Sequence, residues 1–179
     1  MFQGDVCWER LVFLDESSAK TNMIQYYGRA PKGERCFDAA PCGQWNTTTM
    51  LSSIRFDGNT ECIVFRGSLN KELFESYVEQ VLAPSLRPGD IVIMDNLRAH
   101  HSSRVVDLIH ARHADVRFLP PYSPDLNPIE KMWSKVKQFL RALKARTENA
   151  LFEAIGTALC LVTADDAQGW FHSCGYGQA

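Results

Sequence analysis

Three carboxylates stand where predicted structural elements end or begin. Asp15 follows the apolar run "LVFL", Asp95 follows "IVIM", and Glu130 opens a helical pattern after the proline-rich segment "LPPYSPDLNP", residues 119–128. Oxygen ligands of this kind suit a hard divalent cation such as Mg²⁺, which also takes water and substrate phosphate. Two such ions can hold the attacking and the leaving oxygen of a displacement at phosphorus. The three acids are therefore candidate metal ligands for phosphodiester chemistry.

Each acid also has a purely structural explanation. An Asp at the end of a strand is often a turn former, and Asp95 is followed by another turn residue, Asn96. Asn127 can cap a helix that starts at Pro128, and Glu130 stands three residues after the cap, which is the spacing of a capping box. Against this, unpaired carboxylates buried together are costly unless a cation accompanies them. These residues taken alone leave both interpretations open.

The elements that must position the acids follow from hydrophobic periodicity. Short runs of strand-forming residues predict five strands, the second and third as a hairpin around Asp57-Gly58. Apolar residues at helical spacing predict five helices. The expected strands are 10–17, 47–56, 61–67, 90–96 and 116–120, and the expected helices are 70–84, 102–113, 128–146, 147–162 and one from Thr163 onward. Residues 18–46 are expected to form a long loop, and the fourth strand is expected to be central. The order of elements favours one α/β domain, 1–179, with a mixed sheet.

Composition and motif content exclude several classes of protein. The chain has 179 residues and a net charge of −2, so no overall basic field attracts nucleic acid, and a local basic stripe would be needed. No apolar run reaches membrane-spanning length and no signal peptide opens the chain, which favours a soluble intracellular protein. Phosphate-binding, dinucleotide and zinc-protease motifs are missing from the sequence, and its cysteines and histidines lack metal-site spacing.

Basic residues supply candidate contacts to phosphate. At about 100° per residue, Lys137 and Arg141 follow Glu130 along one helix face, an arrangement that suits a phosphate backbone crossing the site. A solvated face with ordinary ion pairs would look the same. The predicted long loop adds four further candidates for DNA contact. They are Lys20, Arg29, Lys32 and Arg35.

Several stretches resemble the catalytic domain of bacterial IS630-family transposases, in the Tc1/mariner superfamily. They are "FLDES", "YGRAPKGER", "TTTML", "YVEQVLAPSLRPGDIVIMDNLRAHHS", "LPPYSPDLNPIEKMWSKVK" and the closing "CGY". Residues 96–129 separate Asp95 from Glu130, and this separation of 34 residues is similar to that in the group. The resemblance implies an RNase H-like fold, a five-stranded mixed sheet flanked by helices. In that fold the first and fourth strands lie side by side, and Glu130 arrives from the helix after the fifth strand.

The resemblance also implies a function. It implies DNA cleavage and strand transfer at the ends of an insertion sequence, with TA target sites and Mg²⁺ or Mn²⁺, as two ions, held by Asp15, Asp95 and Glu130. Asn96 and His100 are candidates to hold Asp95 or a phosphate, and a plain surface residue after the strand is the alternative for His100. Relatives carry helix-turn-helix modules before the catalytic strands, whereas here the first strand is expected about ten residues in. We therefore expect a homodimer, or assembly with a helix-turn-helix segment or chain, in the bacterial cytoplasm, at the nucleoid when acting. Another RNase H-like nuclease, such as a resolvase, and a decayed or partner-dependent fragment that binds DNA without cutting are the alternatives.

Overall fold

The computed structural model describes residues 7–25, 27–37, 39, 41–42, 47–96 and 102–177. Its centre is a five-stranded mixed sheet in the spatial order β3-β2-β1-β4-β5. The strands are β1 (Leu11–Ala19), β2 (Thr48–Arg55), β3 (Thr60–Arg66), β4 (Ile91–Met94) and β5 (Asp115–Phe118). The β1–β2 and β2–β3 pairs are antiparallel, whereas β1–β4 and β4–β5 are parallel. The predicted α/β class and the predicted adjacency of the first and fourth strands are confirmed.

Helices cover both faces of this sheet. They are α1 (Lys71–Tyr77, continued by a π-helical turn Val78–Leu82 and a short turn Ala83–Ser85), α2 (Ser103–His110), α3 (Pro128–Leu143), α4 (Glu148–Cys160) and α5 (Ala164–Ser173). The first two pack on one face of the sheet, and the last three pack on the other. None of the helices in the described part of the chain is long and apolar enough to cross a membrane.

Alternate side chains of β1 enter two separate hydrophobic cores. Phe13 lies in the core formed with α3, α4 and α5, which contains the fully buried Trp133. Val12 and Leu14 lie in the core formed with α1 and α2, which contains Phe74. Successive strand residues point to opposite faces, so an apolar residue at every position lets a parallel strand contribute to a core on each face. This explains the uninterrupted "LVFL" run that leads to Asp15.

The structure corrects the predicted first and fourth strands. β1 continues to Ala19, because it pairs with β2 as far as Ala19 opposite Thr48, so Asp15 lies inside the strand rather than at its end. The long connection to β2 accordingly starts two residues later than predicted. β1 is the central strand and β4 its neighbour, since only β1 has two strands on each side.

The sequence signals for the hairpin turn and for two helix starts agree with the structure, whereas the predicted end of α3 does not. Gly58 has a φ of 85°, which the turn of the β2–β3 hairpin requires and glycine adopts readily. The Thr147 hydroxyl accepts a hydrogen bond from the Ala150 amide, and Thr163 forms a complete capping box with Asp166. Helix α3 ends three residues earlier than predicted, since Lys144 adopts the left-handed conformation and its amide bonds back to the helix.

Candidate active site

The parallel register of β1 and β4 places two of the acids together. The last paired residues are Leu14 and Met94, so Asp15 and Asp95 are the next residue on each strand. Beyond this point β4 ends, whereas β1 continues along β2. Asp95 therefore follows the carboxyl end of β4, and Asp15 stands beside it inside β1, where the pairing of β1 with β4 stops. The carboxyl ends of parallel strands form the edge at which open α/β sheets bind ligands.

Helix α3 carries the third acid to the same edge. Glu130 lies in the first turn of α3, which packs against β1 through residues such as Ile129 and Trp133. Asp15, Asp95 and Glu130 line one cleft of about 400 Å³, and the other wall of this cleft is the proline-rich segment. Residues from three separate regions of the chain are thus brought together, as the sequence analysis expected.

Asp15 has an unusual electrostatic environment. Its side chain is only 7% exposed, and Oδ1 accepts a hydrogen bond of 2.8 Å from the Glu16 amide. Burial, followed by the negative charges of Glu16, Glu130 and Asp95, raises the pKa of Asp15 to about 8, although the amide hydrogen bond acts in the opposite direction. Burial and the neighbouring carboxylates therefore disfavour the simultaneous ionisation of these groups.

This arrangement fits a divalent cation. A cation bound between the acids would offset the repulsion of their negative charges, and carboxylates and water are the ligands that hard cations take. Among the described residues, no three His, Cys, Asp or Glu side chains already stand in a complete metal-binding cluster. Asp15 is buried, Asp95 is half-buried and Glu130 is exposed.

The predicted capping box at the start of α3 does not form. Asn127 occupies the N-cap position, but its side chain makes no capping hydrogen bond, and only its backbone carbonyl accepts one, from the Glu130 amide at 3.2 Å. The side chain is 5% exposed, and Oδ1 has no hydrogen-bond partner among the described residues. The backbone of Asn127 has a ψ of 96°, and Pro128 supplies the fixed first turn. The Glu130 carboxylate therefore does not take part in a capping box at the start of α3.

A contact that the sequence analysis did not predict connects the two walls of the cleft. The Tyr176 hydroxyl donates a hydrogen bond of 2.8 Å to the Leu126 carbonyl in the proline-rich segment. The Tyr176 ring packs on Phe13, with ring centroids 5.1 Å apart. Phe13 precedes Asp15 by two residues on β1, so Tyr176 connects the strand of one acid to the segment that leads to Glu130. The only sequence signal was the closing "CGY".

Asn96 and His100 are the two residues predicted to support Asp95, and the structure describes only the first of them. Asn96 is exposed and lines the cleft beside Asp95. His100 lies outside the described residues. A supporting role for either residue stays a prediction.

The predicted DNA-contact residues are spread over three places. Lys137 lies on the α3 face of Glu130 and lines a second groove together with hydroxyl side chains of β1 and β2, among them Ser17 and Thr49. Arg141 lies one turn further along α3 and is half-buried. The four loop residues are exposed, and one of them lines a depression that also contains Lys144. They are Lys20, Arg29, Lys32 and Arg35.

Comparison with known proteins identifies the family. Residues 10–151 match the sequence profile described as DDE superfamily endonuclease. The chain belongs to this family. It is also 29% identical over 169 residues to the Tcb2 transposase of Caenorhabditis briggsae, an alignment that covers 83% of this chain and 58% of that protein. The predicted relation to the Tc1/mariner superfamily is confirmed, and the chain spans little more than half the length of this relative.

Solved structures identify the fold. The Mos1 strand transfer complex aligns with a TM-score of 0.71 and 17% identity, over 93% of this chain and 52% of that one. The Mos1 transposase catalytic domain, solved with raltegravir and Mg, aligns with a TM-score of 0.64 and 15% identity, over 93% and 79%. The catalytic core of BIV integrase aligns at 0.53 and 16% identity, over 84% and 81%. The predicted RNase H-like fold is confirmed.

Proposed function

We propose that this chain is the catalytic core of a transposase, which cleaves DNA at the ends of a mobile element and joins the freed end to new DNA. The observation that carries the proposal is the single cleft lined by Asp15, Asp95 and Glu130, at the point where the parallel pairing of β1 and β4 ends. Membership of a family of DDE endonucleases supports it, as does similarity to a transposase over most of this chain.

The three acids would hold Mg²⁺ or Mn²⁺, as two ions. The solved Mos1 catalytic domain with Mg supports this choice of metal. When bound, such ions activate an attacking oxygen and stabilise the leaving oxygen at phosphorus. Before binding, the raised pKa of Asp15, about 8, keeps that carboxyl group protonated at neutral pH, so metal uptake would release a proton from Asp15.

The protein's own residues would position the DNA. Asn96 lies in the cleft, where its amide can donate a hydrogen bond to a phosphate oxygen or to Asp95. Lys137 and Arg141 extend the α3 face away from Glu130, and the groove at Lys137 also contains the acidic Glu16 and serine hydroxyls such as that of Ser17, which can donate to a phosphodiester backbone. These contacts fix the strand without reading its sequence, and the loop cations would add to them.

Recognition of specific DNA would come from a further element. A chain with net charge −2 supplies few non-specific phosphate contacts, so its own affinity for duplex DNA would be weak. We propose that a helix-turn-helix segment or partner chain reads the element ends, that the working assembly is a dimer, and that the target is TA. Competition binding of end duplex against scrambled duplex, with and without such a segment, measures this. Strong discrimination by the 179-residue chain alone would contradict the proposal.

Cleavage of labelled end duplex in Mg²⁺ tests the catalytic proposal directly. Asp15→Asn, Asp95→Asn and Glu130→Gln are each expected to lower the rate by more than the roughly 10–100-fold that loss of a ligand's outer partner costs. Asp107→Asn, an isosteric change at an exposed acid on α2, is the matched control and should cut normally. Wild-type cleavage by Asp95→Asn would refute the site. Cleavage of branched junctions or RNA hybrids without strand transfer would favour a different RNase H-like nuclease.

A further inference from the structure

Tyr122 has a strained backbone conformation in the proline-rich segment. Its φ is 58°, in the left-handed region that a bulky side chain rarely adopts. The two preceding residues are prolines, and Pro124 follows two residues later. Prolines restrict both their own φ and the conformation of the residue before them, so the chain has little freedom to relax at this point.

The strain holds an aromatic ring in solvent. The accessible area of Tyr122 is 101% of the reference value for tyrosine, so the ring lies fully in solvent. Packing of the ring therefore does not compensate the unfavourable backbone conformation. The segment itself is anchored, because Leu126 accepts the Tyr176 hydrogen bond and the Leu126 amide donates to the Ser123 carbonyl at 3.1 Å. Strained residues that persist in an anchored segment are typical of ligand-binding positions.

Tyr122 lines the same cleft as Asp15, Asp95 and Glu130. We propose that its ring stacks on a nucleobase of the nucleotide next to the scissile phosphate. This inference rests on the proposed function, because it takes a DNA strand as the ligand of the cleft. Tyr122 lies in the proline-rich segment of the cleft lining and Asp15 and Asp95 lie in or after the strands, so a nucleotide next to a phosphate at the acids would share the cleft with Tyr122.

Stacking also accounts for the residue type. Every nucleobase has an apolar face, and aromatic rings bind such faces without regard to sequence. Tyrosine has few rotatable bonds, so little conformational entropy is lost when its ring is covered. The acids would hold the phosphate, and the ring would fix the base, so that two separate contacts in one cleft orient the phosphodiester.

A double-mutant cycle between protein and DNA tests the stacking. Binding of end duplex is measured at low ionic strength with Ca²⁺ in place of Mg²⁺, and a single abasic site is moved over the nucleotides that flank the cleavage point. At one position the missing base should weaken wild-type binding by about tenfold and should hardly change binding of Tyr122→Leu. Tyr122→Phe and Tyr122→Trp should behave like wild type.

Tyr27→Leu is the matched control, since Tyr27 is also highly exposed, at 92%, but does not line this cleft. It should show the wild-type response to the abasic site. Equal losses for wild type and Tyr122→Leu at every position would overturn the inference, and so would a lack of DNA binding by both proteins. Coupling without cleavage would leave the stacking intact and contradict the proposed function, whereas cleavage without coupling would contradict the stacking alone.

Discussion

Replacing Asp15 by Asn is expected to stabilise the metal-free protein and to remove part of its pH dependence. An unfolded Asp has a pKa near 3.8, whereas burial and the surrounding carboxylates raise the pKa of Asp15 to about 8 in the folded state. The folded protein therefore holds this proton more tightly than the unfolded chain. The resulting stabilisation is complete below the unfolded pKa and is lost as pH rises toward 8.

The size of the effect follows from the two pKa values. Between them, each pH unit lowers the free energy of unfolding by about 1.4 kcal/mol. Between about pH 5.5 and about pH 7.5, the free energy of unfolding of wild type should therefore fall by roughly 2–3 kcal/mol more than that of Asp15→Asn. Asparagine keeps an oxygen that can accept the Glu16 amide hydrogen bond, so the substitution removes the ionisation and little else.

Urea unfolding in EDTA at these two pH values measures the difference, with the m-value as a check that both proteins unfold to the same extent. Asp107→Asn should retain the wild-type dependence. Excess Mg²⁺ should flatten the wild-type curve by binding the ionised site, and should stabilise Asp15→Asn much less. If metal-free wild type and Asp15→Asn lose the same stability over this range, then the electrostatic account of the cleft is wrong.

The remaining predictions concern the walls of the cleft and the DNA track. Tyr176→Phe keeps the ring but removes the hydrogen bond to the proline-rich segment. It should lower the free energy of unfolding, measured in urea, by about 1 kcal/mol and should also lower the cleavage rate. Ser173→Ala removes a comparable hydroxyl-to-carbonyl hydrogen bond on α5 and should leave the cleavage rate unchanged. If both variants lose the same fraction of the cleavage rate, Tyr176 only stabilises the fold and does not position the cleft. The Lys137→Ala/Arg141→Ala double variant should reduce the slope of log binding constant against log salt by about 2, and an unchanged slope would remove these residues from the DNA track. Tyr122→Asn should raise the free energy of unfolding by about 1 kcal/mol, because Asn adopts the left-handed conformation more easily, and should weaken DNA binding; lower stability would show that the exposed ring is not held under strain.

Much of this protein could be predicted from local sequence signals. The apolar runs before Asp15 and Asp95 predicted buried strands because parallel strands covered on both faces are typically near-continuous apolar runs. Thr147 and Thr163 predicted helix starts because a capping hydroxyl acts on amides only two or three residues away. The spacing of Asp95 and Glu130 within familiar motifs also indicated the family.

The tertiary structure decided what depends on partners distant in the chain. Pairing with β2 extends β1 past Asp15, and the parallel register with β4 sets Asp95 beside it. The pKa of Asp15 rises through burial and through charges that the fold assembles, which no local pattern contains. The hydrogen bond of Tyr176 joins residues 50 positions apart. At Asn127 a local capping signal was present, yet the buried side chain does not cap the helix, and its burial depends on tertiary packing that the local pattern does not contain.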